Sequence, residues 1–372
     1  MNRKERRRQA KSARKGPAAG PRRGPPPEGL VSSLLLNYAG VSRPVSYEEA
    51  AGNIDPQSLE RPGAALAAAF SSWRTEKELE TQLRDLDRAL ARQPDNPALH
   101  YQRAGLLRDL KRLPEAIAAY RRVQALDPGR EDVAHLIAAL GGAAAPARAS
   151  DRYVASLFDA FAESFDQTLV HWLNYRGPEV IRAALDRALA AGAAGGLEAR
   201  HDIVDLGCGT GLAGPLLKPL ARRLDGVDLS PGMLAKAAER RLYDELIEDE
   251  ICRFLAARPR RYDIAVATDV LVYFGALEEV FAAIASALRP GGLFAFTLEK
   301  NDGPAYALRK TGRYAHAGAY VRERAEAAGL LVREESEPVV RHESRQPVPA
   351  LCYVLEMPPS PQPSPTSWER EK

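Results

Sequence analysis

Residues 202–214 read DIVDLGCGTGLAG. An apolar run closes on a carboxylate, Asp205, and three glycines follow at alternate positions, Gly207, Gly209 and Gly211. A strand that ends in such a turn can bring its backbone close to a ligand, because glycine adopts conformations and approaches that a Cβ forbids. A dinucleotide fingerprint requires G-x-G-x-x-G, and counted from Gly207 its third glycine falls on Leu212. The turn is instead D-x-G-x-G-x-G, with the acid at the strand end. That disfavours a Rossmann oxidoreductase.

From residue 201 onward, short apolar runs alternate with amphipathic stretches. DIVDL precedes GPLLKPLARRL, DGVDL precedes PGMLAKAAERR, and YDIAVATDVLVYF, LEEVFAAIASAL and GLFAFTLE follow. Strand–helix alternation at this spacing predicts an α/β domain, a mostly parallel doubly wound sheet covered by helices. Ligands of such sheets sit outside the carboxyl ends of the strands. Asp228 closes the second strand, 17 residues after Gly211, where a carboxylate accepts hydrogen bonds from ribose hydroxyls. Thr268, Asp269 and Val270 stand at the carboxyl end of the YDIAVA strand. Asp269 there orients an acceptor, acts as a base, or caps the next helix.

The D-x-G-x-G-x-G spacing resembles motif I of class I S-adenosylmethionine-dependent methyltransferases, and further landmarks follow in that family's order. The resemblance implies a Rossmann-like, seven-stranded, mostly parallel sheet, S-adenosyl-L-methionine (SAM) as cofactor, and direct displacement at its sulfonium methyl. Asp205 would meet the ammonium of the cofactor's methionine part through a charge-assisted hydrogen bond, above the glycine turn. Asp228 would take the ribose. Met233 would pack on the adenine face or belong to the helix core. In LIEDEICRFL, Glu250 or its neighbour Asp249 would meet the adenine amino group, with Ile251 against the ring, and Thr268 would complete the set. LRPGGLFAFTLE (288–299) matches the family's helix–turn–strand element. The Asn-Pro-Pro-Tyr signature of many amine methyltransferases is absent, which disfavours base-methylating DNA enzymes.

Before this domain, Tyr153, Phe158, Phe161 and Phe165 recur at helical spacing with Asp159 and Asp166. They read either as a stripe packing on the sheet or, as in related methyltransferases, as a lid over the cofactor. After it, His316 in TGRYAHAGAYV is a candidate base, since imidazole titrates near neutrality, or a surface residue before a helix. Arg341 and Glu343, two apart on a strand, share a face and either pair with each other or hold a charged substrate.

The N-terminal half carries a repeat. ETQLRDLDRALARQPDN and EAIAAYRRVQALDPGR align with Pro94 and Pro128 at equivalent places, 34 residues apart. That is the tetratricopeptide (TPR) period, with Ala104, Ala116 and Tyr120 on small and aromatic packing positions and Gln82 and Leu86 in a weaker first copy. EDVAHLIAALGG reads as a capping helix. So small an array leans on residues 61–79 or on the following domain, and serves as a peptide groove or as a structural spacer. Together these segments resemble bacterial TPR-containing methyltransferases. The expected organisation is a basic, Pro-rich disordered leader over 1–60, a TPR-like all-α region over 61–145, the linker GAAAPARAS at 142–150, the methyltransferase domain over 150–357 and a Pro/Ser tail over 358–372.

Bulk properties limit partners. The chain has 372 residues, enough for two or three domains, and 45% hydrophobic and 27% charged residues are values for a soluble globular protein. Residues 1–24 hold ten Lys or Arg against one Glu, which leaves the rest of the chain near −6 at a total of +3. A mildly acidic body disfavours a nucleic-acid face. No run approaches the ~18 apolar residues of a membrane span, and no secretory h-region follows the basic start. Three scattered cysteines argue for a reducing compartment and against a disulfide framework or structural zinc. The sequence therefore reads as a cytoplasmic methyltransferase of undefined acceptor whose TPR region engages a peptide or protein. The alternative is a non-catalytic TPR scaffold with a SAM-sensing fold.

Overall fold

The computed structural model describes residues 76–163, 165–167, 175–196, 198–343 and 346–359. The expected leader, residues 61–75 of the expected TPR-like region and the tail beyond 359 lie outside these residues.

The N-terminal part is all helix: α1 (Glu76–Arg92), α2 (Pro97–Asp109), α3 (Leu113–Leu126) and α4 (Glu131–Ala139). Asn96 starts α2 by accepting from the Ala98 N–H at 3.0 Å, with Pro97 supplying the preset φ of a first turn. Pro94 and Pro128 fall just past the ends of α1 and α3, so the 34-residue offset relates two equivalent helices. Ala104 and Ala116 are fully buried where α2 meets α3, and Tyr101 and Tyr120 pack edge-to-face at 5.5 Å.

This block is not loosely tethered. The His135 ring of α4 packs tilted, 4.5 Å from Tyr153 on α5 (Asp151–Phe161), and its Nε2 lies 2.8 Å from the Gly312 carbonyl. The expected linker is a strap: the Gly275 and Ala276 N–H groups donate to the Ala147 carbonyl, and Ala149 donates to the Tyr273 carbonyl. Ser150 then caps α5.

After α6 (Gly177–Ala190) comes the sheet: β1 (His201–Leu206), β2 (Ala221–Asp228), β3 (Glu245–Glu248), β4 (Tyr262–Ala267) and β5 (Leu288–Lys300), then β6 (Tyr306–Leu308), β7 (Tyr314–His316), β8 (Leu331–Ser336), β9 (Val339–Glu343) and β10 (Gln346–Glu356). The intervening helices are α7 (Gly214–Leu217), α8 (Pro231–Glu239), α9 (Ile251–Ala256), α10 (Glu278–Ala287) and α11 (Gly318–Ala327). The main path runs β3-β2-β1-β4-β5-β10-β8, parallel from β3 to β5, with β10 antiparallel to both neighbours. It carries the seven strands expected. The β6–β7 hairpin beside β5, and β9 beside β10, bring the described sheet to ten.

Every residue of β1 is buried, as a central parallel strand covered on both faces must be. Two local expectations change. GPLLKPLARRL is helical only to Leu217 with a 3-10 turn to Leu220, because Pro219 prevents a longer helix and the chain enters β2 at Ala221. The expected turn in LRPGG is absorbed into β5 as a register shift against β4, with Gly291 at φ 80°. No helix among the described residues is long and apolar enough to cross a membrane.

Candidate functional site

The carboxyl ends of β1, β2 and β4 open into one cavity, the place where ligands of such sheets bind. Asp205, Gly207, Gly209, Asp228, Glu250, Ile251, Thr268 and Asp269 all line it. Gly211, Met233 and His316 do not.

Gly207 and Gly209 are glycine for different reasons. Gly207, at φ 64°, leaves room for the loop after β4: a Cβ there would lie 2.5 Å from Val270. Gly209, at φ 55°, faces open space, since a Cβ would meet nothing nearer than Phe165 at 3.9 Å. The absent side chain is what keeps the cavity floor clear. Gly211 packs away from the cavity, against the Tyr243 ring.

The same strand sets two aspartates in opposite states. Asp202, at the amino end of β1, receives Arg222 at 2.8 Å and Arg289 at 2.9 Å, which hold its carboxyl down at about 2. Asp205, at the cavity end, is pushed up to about 7 by burial, reinforced by Asp228 and only partly opposed by the Tyr243 hydroxyl, which donates at 2.7 Å. No Lys or Arg among the described residues pairs with Asp205. Burial likewise raises Asp228 to about 6, although it accepts from the Gly209 N–H at 2.8 Å and the Ser230 N–H at 2.9 Å. Two desolvated carboxylates facing a cavity favour a ligand that brings positive charge and hydroxyl donors.

The lead-in residues latch onto this floor. Asp159 accepts from the Ser230 hydroxyl and from the Gly232 N–H at 3.0 Å. Asp166 accepts from the Thr210 hydroxyl and from Arg240, whose Nε also donates to the Thr210 carbonyl at 2.6 Å. Phe158, Phe161 and Phe165 form an aromatic wall of the cavity, with ring centroids 5.1 Å and 6.0 Å from Phe165. The stripe packs and covers at once.

Asp249 and Glu250, inseparable in sequence, have distinct partners. Glu250 caps α9 by accepting from the Arg253 N–H at 2.9 Å, and its other oxygen lies 3.4 Å from Arg148 on the strap. Asp249 accepts from the Glu250 N–H at 2.8 Å and from Arg253 Nε at 2.5 Å through a single oxygen, Oδ1.

Asp269 sits at φ 62°, a left-handed backbone uncommon outside glycine, and its N–H donates to Thr297 Oγ1 at 2.8 Å. Its Oδ1 accepts from Arg313 at 2.5 Å and Arg341 at 3.3 Å, and the same two guanidiniums engage Glu299. Burial alone would raise its pKa, but Arg313 and Arg341 outweigh it and hold the carboxyl below its ordinary range. Asp269 is thus an ionised acceptor of hydrogen bonds at neutral pH, poorly matched to general-base work.

Other expectations fare differently. His316 is fully buried in β7, its Nε2 3.1 Å from the Gly275 carbonyl, and burial pushes it down to about 4. It is neither at the surface nor in reach of the cavity. Met233 is a core residue of α8. Arg341 pairs with Asp269 and Glu299, while the Glu343 side chain lies outside the described residues. Sequence reading missed Tyr243, Arg148, Arg313 and Thr297. Arg313 stands in the quoted TGRYAHAGAYV, and a charged residue beside a buried strand was its only signal.

Residues 204–294 match the family model described as a methyltransferase domain. Among curated proteins, a trans-aconitate 2-methyltransferase of Paracidovorax citrulli is 32% identical over 107 residues, 28% of this chain and 41% of that protein. Methyltransferase-like protein 27 of Homo sapiens is 32% identical over 154 residues, 39% of this chain and 57% of that protein. A solved 1,6-didemethyltoxoflavin-N1-methyltransferase of Burkholderia thailandensis is 20% identical, covering 58% of this chain and 93% of that one at a TM-score of 0.45. The chain spans under half the length of the first curated relatives it matches. Residues 204–294 are a methyltransferase domain on a Rossmann-like sheet.

Proposed function

We propose that the chain is a SAM-dependent methyltransferase acting on an acceptor bound at the Asp269 end of the cavity. The observation that carries this is Asp205: a buried, desolvated carboxylate with no cationic partner, one wall of a cavity whose floor at Gly209 is bare backbone. It fits the ammonium of a methionine-derived cofactor better than a pyrophosphate, which Asp205 and Asp228 would repel. The Thr268 hydroxyl, buried without a partner at the end of β4, is a further polar group awaiting a ligand.

In this reading Asp205 holds the ammonium, Asp228 the ribose hydroxyls, and Asp249 or Glu250 the adenine edge beside Ile251. When bound, the cofactor supplies an electrophilic methyl on a sulfonium. The chain's own work is alignment and exclusion of water: the Phe158, Phe161 and Phe165 wall shields the site, and Asp159 and Asp166 hold that wall closed. The N-terminal helices fit a TPR-like array by their 34-residue offset and small-residue contacts, serving as support and as a protein-binding face.

Isothermal titration of the purified chain with SAM and with NAD tests the reading. Micromolar SAM binding with no response to NAD is expected. No heat with SAM, or tight binding of NAD, overturns it. SAM binding without label transfer to any fraction of a cell extract would favour the SAM-sensing scaffold instead.

A further inference from the structure

The cavity as a whole has a charge pattern that narrows what enters it. Six carboxylates line the whole cavity (Asp151, Asp205, Asp228, Asp249, Glu250 and Asp269), against three guanidiniums, those of Arg148, Arg313 and Arg341. None of the three is uncommitted. Arg148 pairs with Asp151 at 2.8 Å and approaches Glu250, and Arg313 and Arg341 bridge Asp269 to Glu299. An acceptor carrying several carboxylates would add like charge to an acid-rich cavity, and at the Asp269 end would have to break a buried ion pair to reach Arg313 or Arg341.

Asp269 supplies the positive half of the argument. Both named guanidinium bonds fall on Oδ1, leaving Oδ2 for a further donor, and the side chain keeps 16% exposure in a cavity wall. Thr297 fixes its backbone, so the carboxylate is aimed before any ligand arrives. Tyr175 and Tyr273 add flat apolar surface on the same side.

Resting on the methyltransferase reading above, we infer that the acceptor is a neutral or cationic molecule with a flat apolar body, whose nucleophilic N–H or O–H donates to Asp269, and that polycarboxylates are excluded. In the transfer, the acceptor nitrogen or oxygen gains the methyl and loses its proton to solvent. The methyl's bonding electrons stay on the departing sulfur, leaving a neutral thioether.

The test uses the full chain, SAM labelled in its methyl group, and two sets of probes of similar size. One set is tyramine, catechol and phenethylamine; the other is trans-aconitate, phenylacetate and phthalate. Label is expected in at least one member of the first set and in none of the second. Asp269→Asn is expected to lower that transfer at least tenfold, with the SAM Kd within about twofold of wild type. Unchanged calorimetric SAM binding shows that the variant is folded. Transfer to a carboxylate, no transfer to any amine or alcohol, or an Asp269→Asn chain as active as wild type overturns the inference. Failure to bind SAM at all instead overturns the reading beneath it.

Discussion

If Asp205 receives the cofactor's ammonium, affinity for SAM must follow the ionisation of that carboxyl. Its pKa of about 7 reflects burial first, then Asp228, partly countered by Tyr243. A site titrating near 7 is about nine-tenths ionised at pH 8 and about one-tenth at pH 6, so the SAM Kd should weaken about tenfold between them. Asp228, raised to about 6, steepens the fall below that pH. The two act as a pair, so the curve reports their joint titration. Calorimetry from pH 5.5 to 7.5 keeps the free cofactor's own amine protonated, since α-amino groups titrate near 8. Asp205→Asn should weaken binding at pH 7.5 by ~10–100-fold, the ~1.5–3 kcal/mol of a charged hydrogen bond, and should flatten the slope. Tyr243→Phe removes the donor that lowers the pKa, and should move the wild-type curve to higher pH.

The same carboxyl makes a claim about stability with a definite sign. Its folded pKa lies above its unfolded value of 3.8, so the native chain keeps a proton that the unfolded chain has released. Stability from this group is greatest below about pH 4 and falls as pH rises towards 7, by at most ~4 kcal/mol for the full gap. Asp205→Asn relieves that burden, so the ligand-free variant should melt several degrees above wild type at pH 8 and no higher near pH 4. A wild-type Kd flat from pH 5.5 to 7.5, or an Asp205→Asn variant that keeps the slope and melts lower at pH 8, would refute the assignment.

Two further outcomes follow from close contacts. Gly207→Ala drives a Cβ to within 2.5 Å of Val270 at φ 64°, and should cost ~1–3 kcal/mol in denaturant titrations; Gly209→Ala, which has space, should cost ~1 kcal/mol yet weaken SAM binding more. His135→Ala should leave the SAM Kd within about twofold while lowering methyl transfer to any working acceptor, because its bond to Gly312 holds the segment that carries Arg313; equal loss of both, or of neither, counts against that positioning role.

How much of this was legible in sequence depended on whether the deciding interaction was local. Strand–turn–helix order, Asp205, Asp228 and the glycines follow from periodicity and spacing over a few residues, and the mostly parallel sheet they imply is observed. Ser230 and Glu250 were also within reach, since each caps the helix it precedes. What stayed hidden was pairing across long separations. Tyr243 meets Asp205 38 residues away, and Arg313 and Arg341 meet Asp269 across 44 and 72. His316 misled for the complementary reason. Its ordinary pKa suits a base, but three residues of a hairpin strand in the core left it dry.

The same long-range logic bears on whether the helical block is a spacer or part of the site. Two of the three cavity arginines arrive on segments that this block or its strap holds. Arg148 lies on the strap, pinned by Ala147 and Ala149 to the Tyr273–Ala276 loop. Arg313 follows Gly312, whose carbonyl meets His135, and precedes Tyr314, whose hydroxyl donates to the Pro146 carbonyl at 2.7 Å. A detachable module would meet the sheet domain through exposed, interchangeable contacts. Here the contacts are buried and end on backbone carbonyls beside charged cavity residues. The helical block therefore packs against elements that shape the Asp269 end of the cavity and, through α5 and its Asp159, reaches α8 behind the glycine turn as well.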